Sequence, residues 1–252
     1  MKTETYDYQL LYETEPTHFW FWAKNRVIGT LVKQYLPHPH QTRFLEIGCG
    51  TGFVLGYLEK LGFDITGVDL NSQGLKYARR RVHTAQLICT DVTKNKTLKN
   101  YDAVGLFDVL EHIEDEITFL RAGSRCLKNA GLLFITVPAD ILLWSIIDKL
   151  SGHKRRYSLN SLRTTVQKSG YQIEDIRYFS FFLYLAQLWL RKSLSKRCTS
   201  TSSRSLIYRK SLTISLLMNF LFKLISYLEL KLFSLIRFPF GASLIAVARK
   251  RT

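Results

Sequence analysis

Three glycines and two carboxylates in one short stretch offer the chemistry of a nucleoside-binding site. Gly48, Gly50 and Gly52 alternate directly after an apolar run. Glu46 stands two residues ahead of the first glycine, and Asp69 follows the next apolar run. Glycines allow a sharp turn and a close approach to a ligand, and a helix after the turn directs free N–H groups toward it. A carboxylate about twenty residues past such a turn can accept hydrogen bonds from ribose hydroxyls.

These residues need a strand, a turn, a helix and a second strand to position them. Residues 43–47 form a short apolar run with one acid, and residues 63–68 form another. Between them, residues 53–61 carry apolar side chains at helical spacing. The order predicts a βαβ unit, with the glycine turn before its helix and Asp69 at the carboxyl end of its second strand.

The spacing of the glycines separates two classes of nucleoside site. The dinucleotide fingerprint G-x-G-x-x-G would need a glycine where Phe53 stands. Glu46 would repel a pyrophosphate, but it suits a ligand with an amino group and a positive sulfur. On the acid-x-G-x-G-x-G pattern of residues 46–52, the chain resembles the class I S-adenosylmethionine-dependent methyltransferases.

The resemblance implies roles for the residues of this first motif. Glu46 would lie near the methionine end of S-adenosylmethionine, and the turn, with Cys49 in it, would lie under the ligand. Asp69 would hold the ribose, and the adjoining Leu70 would also contact the ligand. In the family, an acid after the third strand contacts the adenine amino group and the next residue packs on the ring. Asp91 and Val92 occupy those positions, although a strand-end Asp that only forms a local turn is the alternative.

The segment after the fourth predicted strand, residues 101–107, matches the family's D-x-L-E-H-x motif. Here it reads D-V-L-E-H-I, and the resemblance places Phe107 and Asp108 in the ligand pocket. His112 is a candidate general base because imidazole titrates near neutral pH. A histidine that is only hydrogen-bonded within the fold is the alternative.

A second candidate histidine lies in G-H-K-R-R-Y, residues 152–157. The group resembled often carries G-H-x-R-R-Y beside its acceptor pocket. His153 is thus a second candidate base, and with its two arginines it can also hold a phosphate or carboxylate of the acceptor. A solvated basic turn is the alternative. The sequence contains no clear cluster of metal ligands, so no metal is expected.

The element order predicts a Rossmann-like, doubly wound α/β fold with a seven-stranded, mostly parallel sheet and an antiparallel strand at its edge. Residues 1–40 would form a helical lid, in which 18–22 close over the ligand or only pack on the sheet edge. Residues 41–179 with 241–252 would form the methyltransferase domain, and 180–240 a helical insertion between the last two strands. The patterns also predict helices over about 72–82, 114–127, 158–169 and 211–238, and a fifth strand over 132–137.

The insertion is strongly basic and amphipathic. It carries ten positive side chains and one acid, which is +9 of the chain's net charge of +16. Leu217, Leu221, Leu224 and Leu228 fall on one helical face, with mainly polar side chains opposite, as in an interfacial helix. The interpretation is contact with an anionic membrane surface through 181–238. Packing of this apolar face on the catalytic domain or on a second subunit is the alternative.

These observations predict methyl transfer from S-adenosylmethionine to oxygen or carbon of a small-molecule or lipid-linked acceptor. A basic nucleic-acid-binding protein or RNA methyltransferase is one alternative, although the insertion lacks a stacking platform. A nicotinamide-dependent oxidoreductase is another, with Phe53 and Glu46 against it. Four scattered cysteines and an N-terminus without a signal-peptide core predict a cytoplasmic protein, attached peripherally to a membrane at most.

Overall fold

A computed structural model describes residues 7–196, 209 and 211–251. Its strands are β1 (Arg43–Ile47), β2 (Asp64–Asp69), β3 (Gln86–Cys89), β4 (Tyr101–Phe107), β5 (Leu127–Pro138), β6 (Tyr171–Phe179) and β7 (Ser243–Lys250). They form one sheet in the order β3-β2-β1-β4-β5-β7-β6. Strands β1 to β5 pair in parallel, whereas β7 runs antiparallel to both β5 and β6. The predicted seven-stranded, mostly parallel fold is confirmed, with its antiparallel strand one position in from the edge.

Helices cover both faces of the sheet. They are α1 (Tyr8–Thr14), α2 (Phe19–Tyr35), α3 (Phe53–Lys60), α4 (Ser72–Ala78), α5 (Glu116–Cys126), α6 (Ile146–Leu150), α7 (Leu159–Lys168), α8 (Tyr184–Lys196) and α9 (Leu216–Phe233). Helices α2, α3 and α4 contribute to one hydrophobic core, and α5 and α7 contribute to the other. Covering on both faces explains why the central strands read as continuous apolar runs rather than as alternating ones.

Three predicted boundaries were wrong, each for a local reason. Helix α4 ends at Ala78 rather than near Val82, because the next residues form tight turns with bonds from residues 80 and 81 to carbonyls three residues back. Strand β5 begins at Leu127, where it pairs with Tyr101, rather than at residue 132. Helix α9 covers residues 216–233 only, not the whole run from 211 to 238.

Helix α9 packs on the protein through a face that combines aromatic rings with polar side chains. The Phe222 ring lies 5.0 Å from the Phe19 ring of α2, and Phe233 is buried in the core. Asn219 accepts a hydrogen bond from Phe19 N at 2.7 Å and donates to Thr17 O at 2.9 Å. Buried Glu229 accepts from Phe181 N and Phe182 N at 2.9 and 3.2 Å. The polar side chains thus satisfy backbone groups that lack partners in a helix or strand.

The leucines of α9 consequently face away from the protein body. Leu217, Leu221, Leu224 and Leu228 are between 39% and 68% exposed. These four leucines therefore do not pack on the catalytic domain, although Leu230 and Phe233 of the same helix do. None of the described helices is long and apolar enough to cross a membrane. Most of the basic, serine-rich stretch of the insertion, 197–208 and 210, lies outside the described residues.

Candidate functional site

A cavity of about 1110 Å³ lies at the carboxyl ends of β1, β2 and β4. Ile47, Asp69 and Asp108 line it from these strand ends. The order of the strands reverses between β1 and β4, and open α/β sheets bind ligands at such a switch point. Residues of α1, α2 and the insertion also line the cavity. Its volume exceeds the roughly 300–1,000 Å³ of a site for one drug-sized ligand, so two ligands can share it.

The glycine turn is held on β2 and exposes its middle glycine. Gly48 N and Cys49 N both donate to Val68 O, at 2.7 and 3.1 Å. Gly50 has φ +50°, and a Cβ there would meet no atom within 4 Å, so the backbone is bare toward the cavity. Gly52 does not line the cavity. A Cβ at Gly52 would lie 2.8 Å from the Ala78 side chain, so this glycine serves the packing of α4.

Glu46 presents an unsatisfied carboxyl oxygen to the cavity. Its side chain is buried and its Oε2 lacks a hydrogen-bond partner. Burial raises the pKa of Glu46 well above its ordinary value, and the charge of Lys24 offsets only part of this effect. A buried carboxyl without a partner is costly, and a cationic ligand group would supply one. The site therefore fits a ligand that is positively charged at this end.

Asp69 already supports the turn and can still bind a ligand. Its two oxygens accept from Gly50 N at 2.8 Å and from Asn71 N at 2.7 Å. Burial raises the pKa of Asp69, and these bonds act in the opposite direction. A carboxylate has about four acceptor positions. Acceptor capacity therefore remains for a hydroxyl such as that of a ribose.

A partly buried ion pair lies where β4 ends. Lys24 Nζ of α2 lies 2.6 Å from Asp108 Oδ2, and Thr136 donates to Asp108 Oδ1 at 2.9 Å. Burial acts to raise the pKa of Asp108, but the charge of Lys24 and the hydrogen bonds from Lys24 and Thr136 together outweigh it and hold that pKa below its ordinary value. Phe107 reaches the cavity, although its ring is mostly buried in the core, 6.5 Å from the Phe44 ring.

Asp91, Val92 and Leu70 line the other end of the cavity. Asp91 Oδ1 accepts from Thr93 N at 2.9 Å and from Thr93 Oγ1 at 2.6 Å. The local turn that the sequence left as an alternative is thus present. Val92 is buried and Leu70 is largely exposed. Together they offer an apolar edge on which a flat ring can rest.

His153 is oriented by a buried carboxylate. Its Nδ1 lies 3.0 Å from Asp148 Oδ1, and Arg156 and Arg191 pair with the same carboxylate at 2.8 and 2.7 Å. Burial opposes ionisation of Asp148, but the bond from His153 and the two guanidinium charges outweigh it and keep its pKa below the ordinary value. An ionised Asp148 places the proton on Nδ1, so Nε2 carries the lone pair of a base.

His112 is a weaker candidate base. Its Nδ1 lies 3.3 Å from Gly152 O, and burial lowers its pKa to about 4, with a further contribution from His153. A base of such low pKa has little driving force to remove a proton from an acceptor. The two rings lie 4.9 Å apart, so the fold brings both predicted histidines to one place in the cavity.

Glu111 joins this pair although the sequence did not single it out. It is fully buried, both of its oxygens lack hydrogen-bond partners, and Oε1 lies 3.9 Å from His153 Nε2. Burial and the charge of Asp108 raise its pKa well above the ordinary value. One donor atom each from Glu111, His112 and His153 lie within 4.8 Å of one another. Folding thus brings together three side chains that could serve as metal ligands. They come from two separate segments of the chain, so no spacing motif marks the set.

The N-terminal helices supply residues that sequence reasoning missed. Glu15 accepts from Thr51 of the glycine turn at 2.6 Å and pairs with Arg81. Tyr8 and Lys24 line the cavity. No short motif marks these positions, because their roles arise only when α1 and α2 fold back over the turn. The density of aromatic and basic residues before β1 was the only available signal.

A family model described as a methyltransferase domain matches residues 19–176. A ubiquinone biosynthesis O-methyltransferase of Haemophilus ducreyi is 27% identical over 176 residues, which cover 61% of this chain and 75% of that protein. Its counterpart from Idiomarina loihiensis is 28% identical over 109 residues, 40% of this chain and only 45% of that protein. The structure of a Haemonchus contortus phosphoethanolamine N-methyltransferase 2 with S-adenosylmethionine shares the fold, with a TM-score of 0.59 and 19% identity, over 92% of this chain and 53% of that one.

Proposed function

The chain belongs to the methyltransferase domain family of S-adenosylmethionine-dependent enzymes, and we propose that it methylates a hydroxyl oxygen of a small amphiphilic acceptor. The observation that carries this proposal is the Asp148–His153 pair, whose histidine lines the same cavity as Glu46 and Asp69. A hydroxyl needs a base as its oxygen attacks, and His153 Nε2 is available as one. The names of the two relatives favour oxygen over carbon as the methylated atom.

The donor would lie across the carboxyl ends of β1, β2 and β4. We assign the ribose hydroxyls to Asp69, the backbone under the ligand to Gly48, Cys49 and Gly50, and the methionine amino group to Glu46. Val92 and Leu70 would contact the adenine ring, with Asp91 at its amino group. Phe107 and Asp108 would border the methyl group. Gly52 acts through the packing of α4 rather than by contact with the donor.

Methyl transfer asks the protein chiefly to align two molecules. When bound, S-adenosylmethionine supplies a methyl group activated by its positive sulfur. The walls of α1 and α2 exclude water, which strengthens the electrostatic interactions inside the cavity. His153 takes the hydroxyl proton on Nε2, and Asp148 stabilises the resulting imidazolium. Holding donor and acceptor in line accounts for most of the remaining rate enhancement.

Calorimetry tests the donor assignment directly. We expect S-adenosylhomocysteine to bind with one site per chain and NADH to give no heat of binding. A pyrophosphate would find no cationic partner at the buried Glu46 carboxyl, and Phe53 takes the place of the third dinucleotide glycine. Tight binding of NADH without binding of S-adenosylhomocysteine would favour a nicotinamide-dependent oxidoreductase and contradict the proposal.

We further propose that the insertion seats the enzyme on an anionic membrane surface, as a peripheral rather than a spanning protein. The outward leucines of α9 supply apolar area, and the insertion's net charge of +9 supplies attraction to acidic headgroups. The outward leucines offer no ring for base stacking, which favours a bilayer over nucleic acid as the partner, although Phe220 and Tyr227 of α9 are exposed as well. We also propose that residues 1–40 form a lid over the cavity. The methyltransferase domain would then consist of residues 41–179 and 241–252, with the insertion between them.

Flotation with vesicles tests the membrane contact. We expect the protein to float with phosphatidylcholine vesicles that contain phosphatidylglycerol. Leu221→Glu with Leu228→Glu should lower binding at least tenfold, since two apolar anchors of about 1.5–3 kcal/mol each are lost and negative charge is added.

The control variant is Gln167→Glu with Gln172→Glu, which adds the same charge at exposed positions of α7 and β6. Equal flotation of the two variants would contradict membrane contact through α9. If the leucine variant instead changes from dimer to monomer while flotation stays the same, a second subunit covers this face.

A further inference from the structure

The cavity continues beyond the proposed donor site toward the insertion. Apolar residues of the insertion and of α6 line this second part: Ile147, Leu183, Ala186, Trp189, Leu190, Leu212, Ile214, Met218 and Phe222. The polar groups Glu111, His153 and Arg156 line the same cavity. The acceptor side of the cavity therefore combines a polar group near His153 with apolar walls from the insertion.

The apolar part reaches the surface at residues that are both cavity-lining and exposed. Trp189 and Leu190 of α8 are 72% and 44% exposed, and Met218 of α9 is 40% exposed. Leu217 and Leu221, next to Met218 along α9, belong to the outward leucine face. The apolar lining and that face are thus continuous across the first turns of α9.

The helix that lines this route also contacts the carboxylate that orients the base. Arg191 of α8 lies 2.7 Å from Asp148 Oδ2 and donates to Ser145 Oγ at 3.2 Å. Tyr184, at the start of α8, is hydrogen-bonded to Asp140. Contacts at both places hold α8 against the segment that carries Asp148 and His153, so the route leads toward the reacting end of the cavity.

We propose that the acceptor carries a linear hydrocarbon chain, which lies along α8 and the start of α9 while its hydroxyl reaches His153. The inference rests on the proposed O-methylation and adds the chemical class of the acceptor. A chain in this place covers apolar surface that is otherwise exposed to water. Its far end emerges on the outward leucine face, where a bilayer can supply the molecule without its passage through water.

A series of 4-alkylphenols tests the route with defined probes. 4-Methylphenol, 4-butylphenol and 4-octylphenol are titrated into the protein saturated with S-adenosylhomocysteine. We expect the affinity to rise about fourfold for each methylene that the cavity buries. Trp189→Glu and Met218→Glu should abolish the gain from butyl to octyl and leave the affinity for S-adenosylhomocysteine unchanged.

Two further variants separate the route from general surface stickiness and from misfolding. Leu235→Glu alters an exposed leucine that does not line the cavity, and Met218→Leu keeps the apolar volume. Both should retain the full dependence on chain length. An affinity that does not depend on chain length, or an equal loss in Leu235→Glu, would overturn the proposal. Failure to bind S-adenosylhomocysteine would instead overturn the proposed function, since it does not involve the alkyl chain.

Discussion

Asp69→Ala is expected to weaken the binding of S-adenosylhomocysteine at least a hundredfold. Hydrogen bonds to a charged partner contribute about 1.5–3 kcal/mol each, and two ribose hydroxyls would lose theirs. The variant also frees Gly50 N, which donates to Asp69 Oδ2 at 2.8 Å, so the glycine turn loses a support. Calorimetry with S-adenosylhomocysteine gives the affinity, and thermal unfolding confirms that the variant is folded.

The matched control lies on the same strand. Asp64→Ala removes an exposed carboxylate from the opposite end of β2 and should leave the affinity unchanged. Asp91→Ala should cost less than tenfold, because Asp91 is already hydrogen-bonded within its own turn. An Asp69→Ala protein with unaltered affinity would remove Asp69 from the ribose site.

His153→Gln is expected to slow methyl transfer at least a hundredfold and to leave the affinity for S-adenosylhomocysteine intact. General-base catalysis contributes about 10²–10⁴ in rate, and glutamine keeps a hydrogen-bonding group without a base. Asp148 remains ionised across the neutral range because its pKa is lowered, so the orientation of His153 does not change with pH there. The measurement is the rate at which labelled methyl groups pass from S-adenosylmethionine to lipids extracted from the cells that produce the protein.

His112→Gln distinguishes the two histidines. Its pKa of about 4 and its contact with Gly152 O predict a much smaller loss of rate. His83→Gln, an exposed histidine outside the cavity, should behave as the unaltered protein. A large loss in His112→Gln with normal turnover in His153→Gln would reverse the assignment of the base.

The sequence predicted the fold and the first motif well because both depend on local patterns. The run from residue 43 to residue 70 places its strand, turn and helix through glycines and apolar spacing that neighbours in the chain determine. Phe53 and Glu46 together favoured S-adenosylmethionine over a dinucleotide. The same local signals located His112 and His153, which the fold then brought together.

Residues whose roles depend on distant partners could not be predicted. Lys24 lies 84 positions from Asp108 along the chain, and no spacing rule links them. Asp148 was visible only as one acid near His153. The direction in which α9 faces was also hidden, because amphipathicity defines two sides of a helix but not which of them meets the protein. The hydrogen bonds that Asn219 and Glu229 accept from backbone N–H groups of other segments show which side of α9 meets the protein.

Because the buried Glu46 carboxyl has an oxygen without a partner, the competition between S-adenosylmethionine and S-adenosylhomocysteine for the site should depend on pH. Burial favours its neutral acid in the empty protein, whereas the sulfonium of S-adenosylmethionine favours the carboxylate. We therefore expect binding of the donor to release a proton to the buffer. S-adenosylhomocysteine has the same amino group but an uncharged sulfur, so it should gain less from that ionisation. As the pH falls, we expect fresh donor to displace the product less easily and product inhibition to become more severe.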